Sequence, residues 1–161
     1  MNEERKLRAA QLRLRSAAVD PKRIQLSGVL SIVGGSIVVL GTFFTFNTST
    51  IDGLLTISRN AYHMGSNLSD NGVGFLDSIP AVALVVLGVG LLRGYRGYWF
   101  NPVRHVVIGV GIAAIVFEQR NYDVPTVAGI RYTMGIGWYM CLAGGVIGVI
   151  AAFVRTPTSS T

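Results

Sequence analysis

Apolar residues gather in four long runs, about 24–46, 75–92, 102–118 and 132–154, with short polar segments between them. A soluble domain of 161 residues does not repeat such runs four times. The pattern therefore predicts an all-α fold, an integral membrane four-helix bundle over residues 21–154. At 1.5 Å rise per residue the first run reaches about 34 Å, enough to cross a hydrocarbon core of ~30 Å. It holds no charge, and each Leu, Ile, Val or Phe near its centre favours insertion by roughly 0.3–0.6 kcal/mol. The second run is similarly secure. From Pro102 to Phe117 the third reaches only about 24 Å, so Glu118 to Arg120 are expected to carry the helix into the headgroups. The fourth is rich in Gly, Ala and aromatic residues and should depend on packing against its neighbours.

The remaining segments read as follows. Residues 1–20 form a basic cytoplasmic arm, and 2–19 within it fit an amphipathic helix. Leu7, Ala10, Leu14 and Ala17 share one face, and Glu4 stands four before Arg8. Such a helix lies on an anionic leaflet or docks a partner, or it is simply a solvated arm that sets topology. Residues 47–74 form the long outer loop, with a short helix expected over 51–64, ended by Gly65, and turns from Ser66 to Gly74. Long loops are where recognition tends to reside; the plainer reading is a lid over the bundle. Residues 155–161 are a cytoplasmic tail.

Charge placement sets the orientation. Arg5, Lys6, Arg8, Arg13, Arg15, Lys22 and Arg23 precede the first run, Arg93, Arg96 and Arg104 lie in or beside the linker between the second and third, and Arg155 follows the fourth. The other two loops hold only Arg59, Arg120 and Arg131. Lys and Arg accumulate on the cytoplasmic side, so both termini and the 94–101 linker should lie inside, in a multi-pass plasma-membrane topology. Arg5, Lys6, Arg8, Arg13, Arg15, Lys22, Arg23, Arg93, Arg96 and Arg104 are then the inner-leaflet contacts. The net charge of +6 does not point to nucleic acid, because the basic residues adjoin apolar runs. Tyr95, Tyr98 and Trp99 read as an inner aromatic belt, and Tyr122, Tyr132, Trp138 and Tyr139 as an outer one, with a deeper place the alternative for Trp138.

Half the residues are hydrophobic, 14% are charged and Gly numbers 20. Small residues let membrane helices approach closely. The fourth run carries Gly137, Cys141 and Gly145 on one four-residue ladder and Gly144, Gly148 and Ala152 on the next. The first run offers Ser27, Ser31 and Gly35, and the third Gly109 and Ala113. These are the expected helix-packing residues; one such face is also a candidate for pairing with another membrane protein or a second copy. Two runs open alike, Asp20-Pro21-Lys22-Arg23 and Asn101-Pro102-Val103-Arg104, an N-cap followed by Pro at N1. Gly28 and Gly109 then fall in register, which fits two related hairpins, though convergence on a common start signal is the simpler account.

The stretch Met134-Gly135-Ile136-Gly137-Trp138-Tyr139, followed by Leu142-Ala143-Gly144-Gly145-Val146-Ile147-Gly148, resembles the last span of small uncharacterised four-helix membrane proteins of actinobacteria and their phages. Asp52-Gly53 stands where those proteins often hold an Asp-Gly in a long first outer loop. The resemblance implies location and architecture and no activity.

Chemistry is sparse. Ser58, His63 and Asp52 or Asp70 would supply a hydrolase's nucleophile, base and carboxylate, but no nucleophile-elbow motif accompanies them. His63 reads as a surface residue and His105, beside Arg104, as an interfacial one; two distant histidines make no metal site. Cys141 is a small packing residue, and no cofactor is expected. The first apolar run begins too far from Met1, and is too long, for a cleaved signal peptide. No Asp, Glu, Lys or Arg lies in the middle of a run, which counts against a proton-coupled transporter. The expectation is a non-enzymatic membrane protein that acts through contacts, as an accessory, scaffold or surface-modifying factor, with a phage or prophage as one candidate source. The alternative is an oligomeric, holin-like pore. Its partners would be the lipid bilayer and a membrane protein or a second copy.

Overall fold

The computed structural model describes residues 20–62, 74–95, 100–122 and 130–155. Residues 1–19 of the basic arm, the 63–73 part of the long loop, residues 96–99 with Tyr98 and Trp99 of the expected inner belt, and the 123–129 and 156–161 segments lie outside them. Among the described residues are four helices, α1 (Pro21–Phe43), α2 (Gly74–Leu92), α3 (Pro102–Tyr122) and α4 (Ile136–Arg155), and three strands, β1 (Thr45–Ile51), β2 (Leu55–Asn60) and β3 (Ile130–Met134).

Helices α1 and α3 begin as their sequences dictate. The Asp20 carboxylate accepts from the Lys22 amide at 2.9 Å, and the Asn101 side chain accepts from the Val103 amide at 3.1 Å. Each cap satisfies an amide that the first helical turn leaves without a carbonyl. Helix α1 stops at Phe44, which turns extended and donates its amide back to the Gly41 carbonyl at 3.2 Å.

The all-α expectation is corrected by a small antiparallel sheet of order β2-β1-β3. The first run was expected to remain helical to residue 46, but Thr45 and Phe46 belong to β1; the fourth was expected from 132, but Tyr132 to Met134 belong to β3. Where a helix is expected over 51–64, the described residues form a turn at 52–54 and strand β2 at Leu55–Asn60, and residues 63–64 lie outside the described part. The cause is local. Thr45, Thr48, Thr50, Ile51, Thr56 and Ile57 are β-branched and favour strand. Asp52 and Gly53 take φ of 49° and 72°, the left-handed pair that a tight hairpin demands. Helix α3 runs past residue 118 to Tyr122.

Helices α1 and α4 form the centre, α1 packing on α4 and α2, and α4 also on α3. A seven-residue repeat of doublets organises these seams. In α1 the doublets are Ser27-Gly28, Gly34-Gly35 and Gly41-Thr42, all buried. Their first members meet α4: the Ser27 hydroxyl donates to the Ala151 carbonyl at 2.6 Å, Gly34 lies against Gly144, and Gly41 against Gly137 and Cys141. The second members Gly28 and Gly35 meet α2 at Gly88 and Ala81. Helix α4 answers with Gly137-Trp138, Gly144-Gly145 and Ala151-Ala152. Its first members face α1, while Trp138 and Gly145 face α3, where the indole N–H donates to the Val116 carbonyl at 3.0 Å and Gly145 lies against Gly109. A repeat of seven keeps an antiparallel seam in register through a left-handed supercoil.

Apolar side chains lie on both sides of the helices. The interior holds glycines and Ser27, Ser31, Thr42, Asp77 and His105 together with Val38, Leu84, Leu91, Ile112 and Val116, while Leu26, Val33, Leu40, Ile79, Val86, Val107, Val110, Val146, Ile150 and Phe153 point outward. Helices α1 and α4 are long and apolar enough to cross a membrane; the apolar part of α2 is shorter, Leu76–Leu92.

Candidate functional site: the sheet-capped end of the bundle

The sheet is held directly on the bundle. One residue, Phe44, joins α1 to β1, and one, Gly135, joins β3 to α4. The Gly135 amide donates to the Phe46 carbonyl at 2.8 Å, the Ala61 amide to the Thr42 carbonyl at 3.2 Å, and the Gly74 amide to the Ala61 carbonyl at 2.9 Å. Tyr62 ties the end of β2 to α2 through its hydroxyl, 2.6 Å from the Ser78 Oγ, and its ring lies 5.3 Å from that of Phe43. An irregularity between Thr45 and Asn47 lets Phe46 and Asn47 both turn inward. Phe46 plugs the bundle end among Val38, Ala61, Ala81, Ile112, Val116, Trp138 and Cys141.

Beyond this root the register sorts the sheet into two faces, because paired residues share a face and successive ones alternate. Thr48 pairs with Ser58 and Thr133, and Thr50 with Thr56 and Arg131. That face consists of hydroxyls and one guanidinium. Thr48 Oγ1 lies 3.4 Å from Ser58 Oγ, and Thr50 Oγ1 lies 3.4 Å from Thr56 Oγ1. Asn47 pairs with Arg59 and Met134, Ser49 with Ile57, and Ile51 with Leu55. That face is mostly apolar, and it ends at a turn where Leu54 is 92% exposed. The hydroxyl face suits hydrogen-bonded recognition of a polar surface.

The residues weighed for hydrolysis are not assembled among the described residues. Ser58 stands on the hydroxyl face, Asp52 at the hairpin turn, and His63 and Asp70 lie outside the described part. No group of three His, Cys, Asp or Glu side chains suited to a metal occurs among the described residues.

The helix-packing residues are found as follows. Ser27, Gly137 and Gly144 line the α1–α4 seam, and Cys141 lies beside it with its thiol 3.5 Å from the Val38 carbonyl. Ser31 donates to the Ser27 carbonyl at 2.8 Å. Gly35 meets α2 at Ala81, Gly148 meets Leu84 of α2, and Gly109 and Gly145 meet each other. Ala152 is buried and Ala113 half-buried. Of the basic residues, Lys22, Arg23 and Arg93 are exposed and Arg104 half-buried at the end opposite the sheet; Arg5, Lys6, Arg8, Arg13, Arg15 and Arg96 lie outside the described residues.

Three groups lie in the interior. His105, read as interfacial, is fully buried among the helices, and Trp138, assigned to the outer belt or to a deeper place, lies in the bundle interior. Asp77, in the first turn of α2, is also fully buried. Its place near the start of an apolar run gave no sign of burial.

No protein-family model matches the chain, and no curated protein matches it in sequence.

Proposed function

We propose that the chain is a four-span plasma-membrane protein of a bacterium, with both termini cytoplasmic, which acts without catalysis by presenting the hydroxyl face of its outer sheet to a partner. One observation carries the membrane part: on all four helices large apolar side chains point outward, among them Leu26, Ile79, Val107 and Ile150, while glycines and a few polar groups share the interior with Val38, Leu84, Leu91, Ile112 and Val116. In water that arrangement would leave a wide apolar surface wet. In lipid it is the expected one, because tails solvate Leu and Val while close backbone approach supplies the packing. The basic residues Lys22, Arg23, Arg93 and Arg104 gather at the end away from the sheet, which supports a cytoplasmic assignment for that end.

The reading as an accessory, scaffold or surface-modifying factor rests on the sheet's polar face, with Arg131 beside the Thr48, Thr50, Thr56, Ser58 and Thr133 hydroxyls. A pore is the lesser reading: the glycine seams weigh against a lumen inside one bundle, so conduction would need several copies.

The test uses a photo-crosslinking residue at Ser58 or Thr133, followed by gentle detergent extraction and mass spectrometry. A partner captured from these positions, and lost when the crosslinker stands at Lys22, supports the proposal. Chain that elutes monodisperse in detergent-free buffer sinks the membrane part. Ion flux through liposomes carrying the chain replaces the contact reading with the pore.

A further inference from the structure

We infer that the apolar face of the β2-β1-β3 sheet rests on the outer leaflet of the same membrane, as an interfacial element attached to the bundle. This rests on the four-span reading above. The sheet has no slack with which to leave the surface, since single residues join β1 to α1 and β3 to α4. Its root is part of the bundle core: Asn47 is buried, and Met134, paired with it, packs on the core cluster. The root and the distal positions share one face, so the side that seals the bundle end is also the side that carries Ile51, Leu55 and Ile57. Four residues of strand separate Asn47 from Ile51, about 13 Å. That length carries these side chains past the bundle end, where Leu55 is 55% exposed and Leu54 92%.

The occupant follows from what adjoins the sheet. At its root the bundle shows Phe43, Phe44 and Ile136, all exposed, so an apolar rim borders the sheet where the helices end. The headgroup layer, about 5–8 Å deep on each side of the hydrocarbon core, is the nearest medium that accepts apolar side chains and a cation together. Arg59 lies on this face, two residues from Ile57, in the mix of Leu, Ile and Arg that interfacial elements use. The opposite face, all hydroxyls and Arg131, is left to water and to a partner.

Adjacent residues provide the test, because Leu55 and Thr56 point to opposite faces. Leu55→Cys and Thr56→Cys are each labelled with an environment-sensitive fluorophore in the full chain reconstituted in vesicles. The wild-type protein, whose Cys141 is buried, serves as the labelling blank, and Val86→Cys on the outer face of α2 reports on the bundle. Spin-labelled lipids and aqueous iodide are the quenchers. The expected result is blue-shifted emission, lipid quenching and loss of iodide quenching at position 55, with the reverse at 56. Equal iodide quenching at 55 and 56, with position 86 quenched by lipid, overturns the inference and leaves the bundle reading intact. Shielding of position 55 from both quenchers also overturns it and assigns the face to a second copy. Absence of lipid quenching at 86 overturns both readings.

Discussion

Gly34 of α1 and Gly144 of α4 face each other backbone to backbone: a Cβ placed on Gly34 would lie 2.8 Å from the Gly144 carbonyl oxygen, and one on Gly144 would lie 2.5 Å from the Gly34 carbonyl oxygen. Gly28 with Gly88, and Gly109 with Gly145, repeat this reciprocity at the α1–α2 and α3–α4 crossings. The bundle is thus held by contact of main chain on main chain. Such contact sums many small dispersion gains that a side chain would separate.

Gly34→Leu should therefore part the central pair. The obstacle is backbone, which cannot rotate aside as a side chain can, and overpacking costs about 1–3 kcal/mol or more where the neighbour does not give. The expected outcome is a lowered melting temperature in mild detergent with loss of the monodisperse peak. A melting temperature equal to wild type would remove the seam from this account.

Gly111 supplies the contrast. It sits within α3, and a Cβ there meets nothing within 4 Å. Replacing a mid-helix Gly by Ala gains about 0.5–1 kcal/mol, so Gly111→Ala should raise the melting temperature or leave it unchanged. A loss as large as that of Gly34→Leu would mean that α3 packs against something at this face.

The helices were legible because apolar runs and N-caps are local signals, and Asp20 and Asn101 cap as their side chains dictate. The seam residues were legible by size but not by partner. Four-residue spacing of small residues picks out part of the seam, whereas the contacts follow doublets seven apart that also include Gly28, Gly34 and Gly41, with Gly88 opposite them on α2. The sheet was not legible. Thr45, Phe46 and Tyr132 to Met134 adjoin apolar runs, and their strand pairing joins segments more than eighty positions apart. The Asp52-Gly53 pair between β-branched residues was the available local signal for the hairpin.

Trp138 tests the α3–α4 seam without altering the backbone. Its indole N–H donates to the buried Val116 carbonyl at 3.0 Å, and its ring meets Phe117 edge-on at 5.6 Å. Trp138→Phe keeps an aromatic ring and loses the donor, a net cost of about 0.5–1.5 kcal/mol for the hydrogen bond. The melting temperature should fall by less than for Gly34→Leu, and the protein should remain monodisperse. An unchanged melting temperature would leave that bond with no share in stability.

Gly53 isolates the sheet from the bundle. Its φ of 72° lies in the left-handed region, and a Cβ there touches nothing within 4 Å, so a substitution acts through backbone strain alone. An L-residue held in that region costs about 1–2 kcal/mol, and Asn tolerates it better than Ala. Gly53→Ala should therefore loosen the hairpin while Gly53→Asn largely spares it. Amide exchange at Thr50 and Thr56 should speed up in the Ala variant, while exchange in α1 and α4 stays at wild-type rates. Equal exchange in both variants would show that the turn does not hold the strands in register. Faster exchange in the helices as well would show that sheet and bundle open as one unit, which the single-residue connections at Phe44 and Gly135 make the physically meaningful rival outcome.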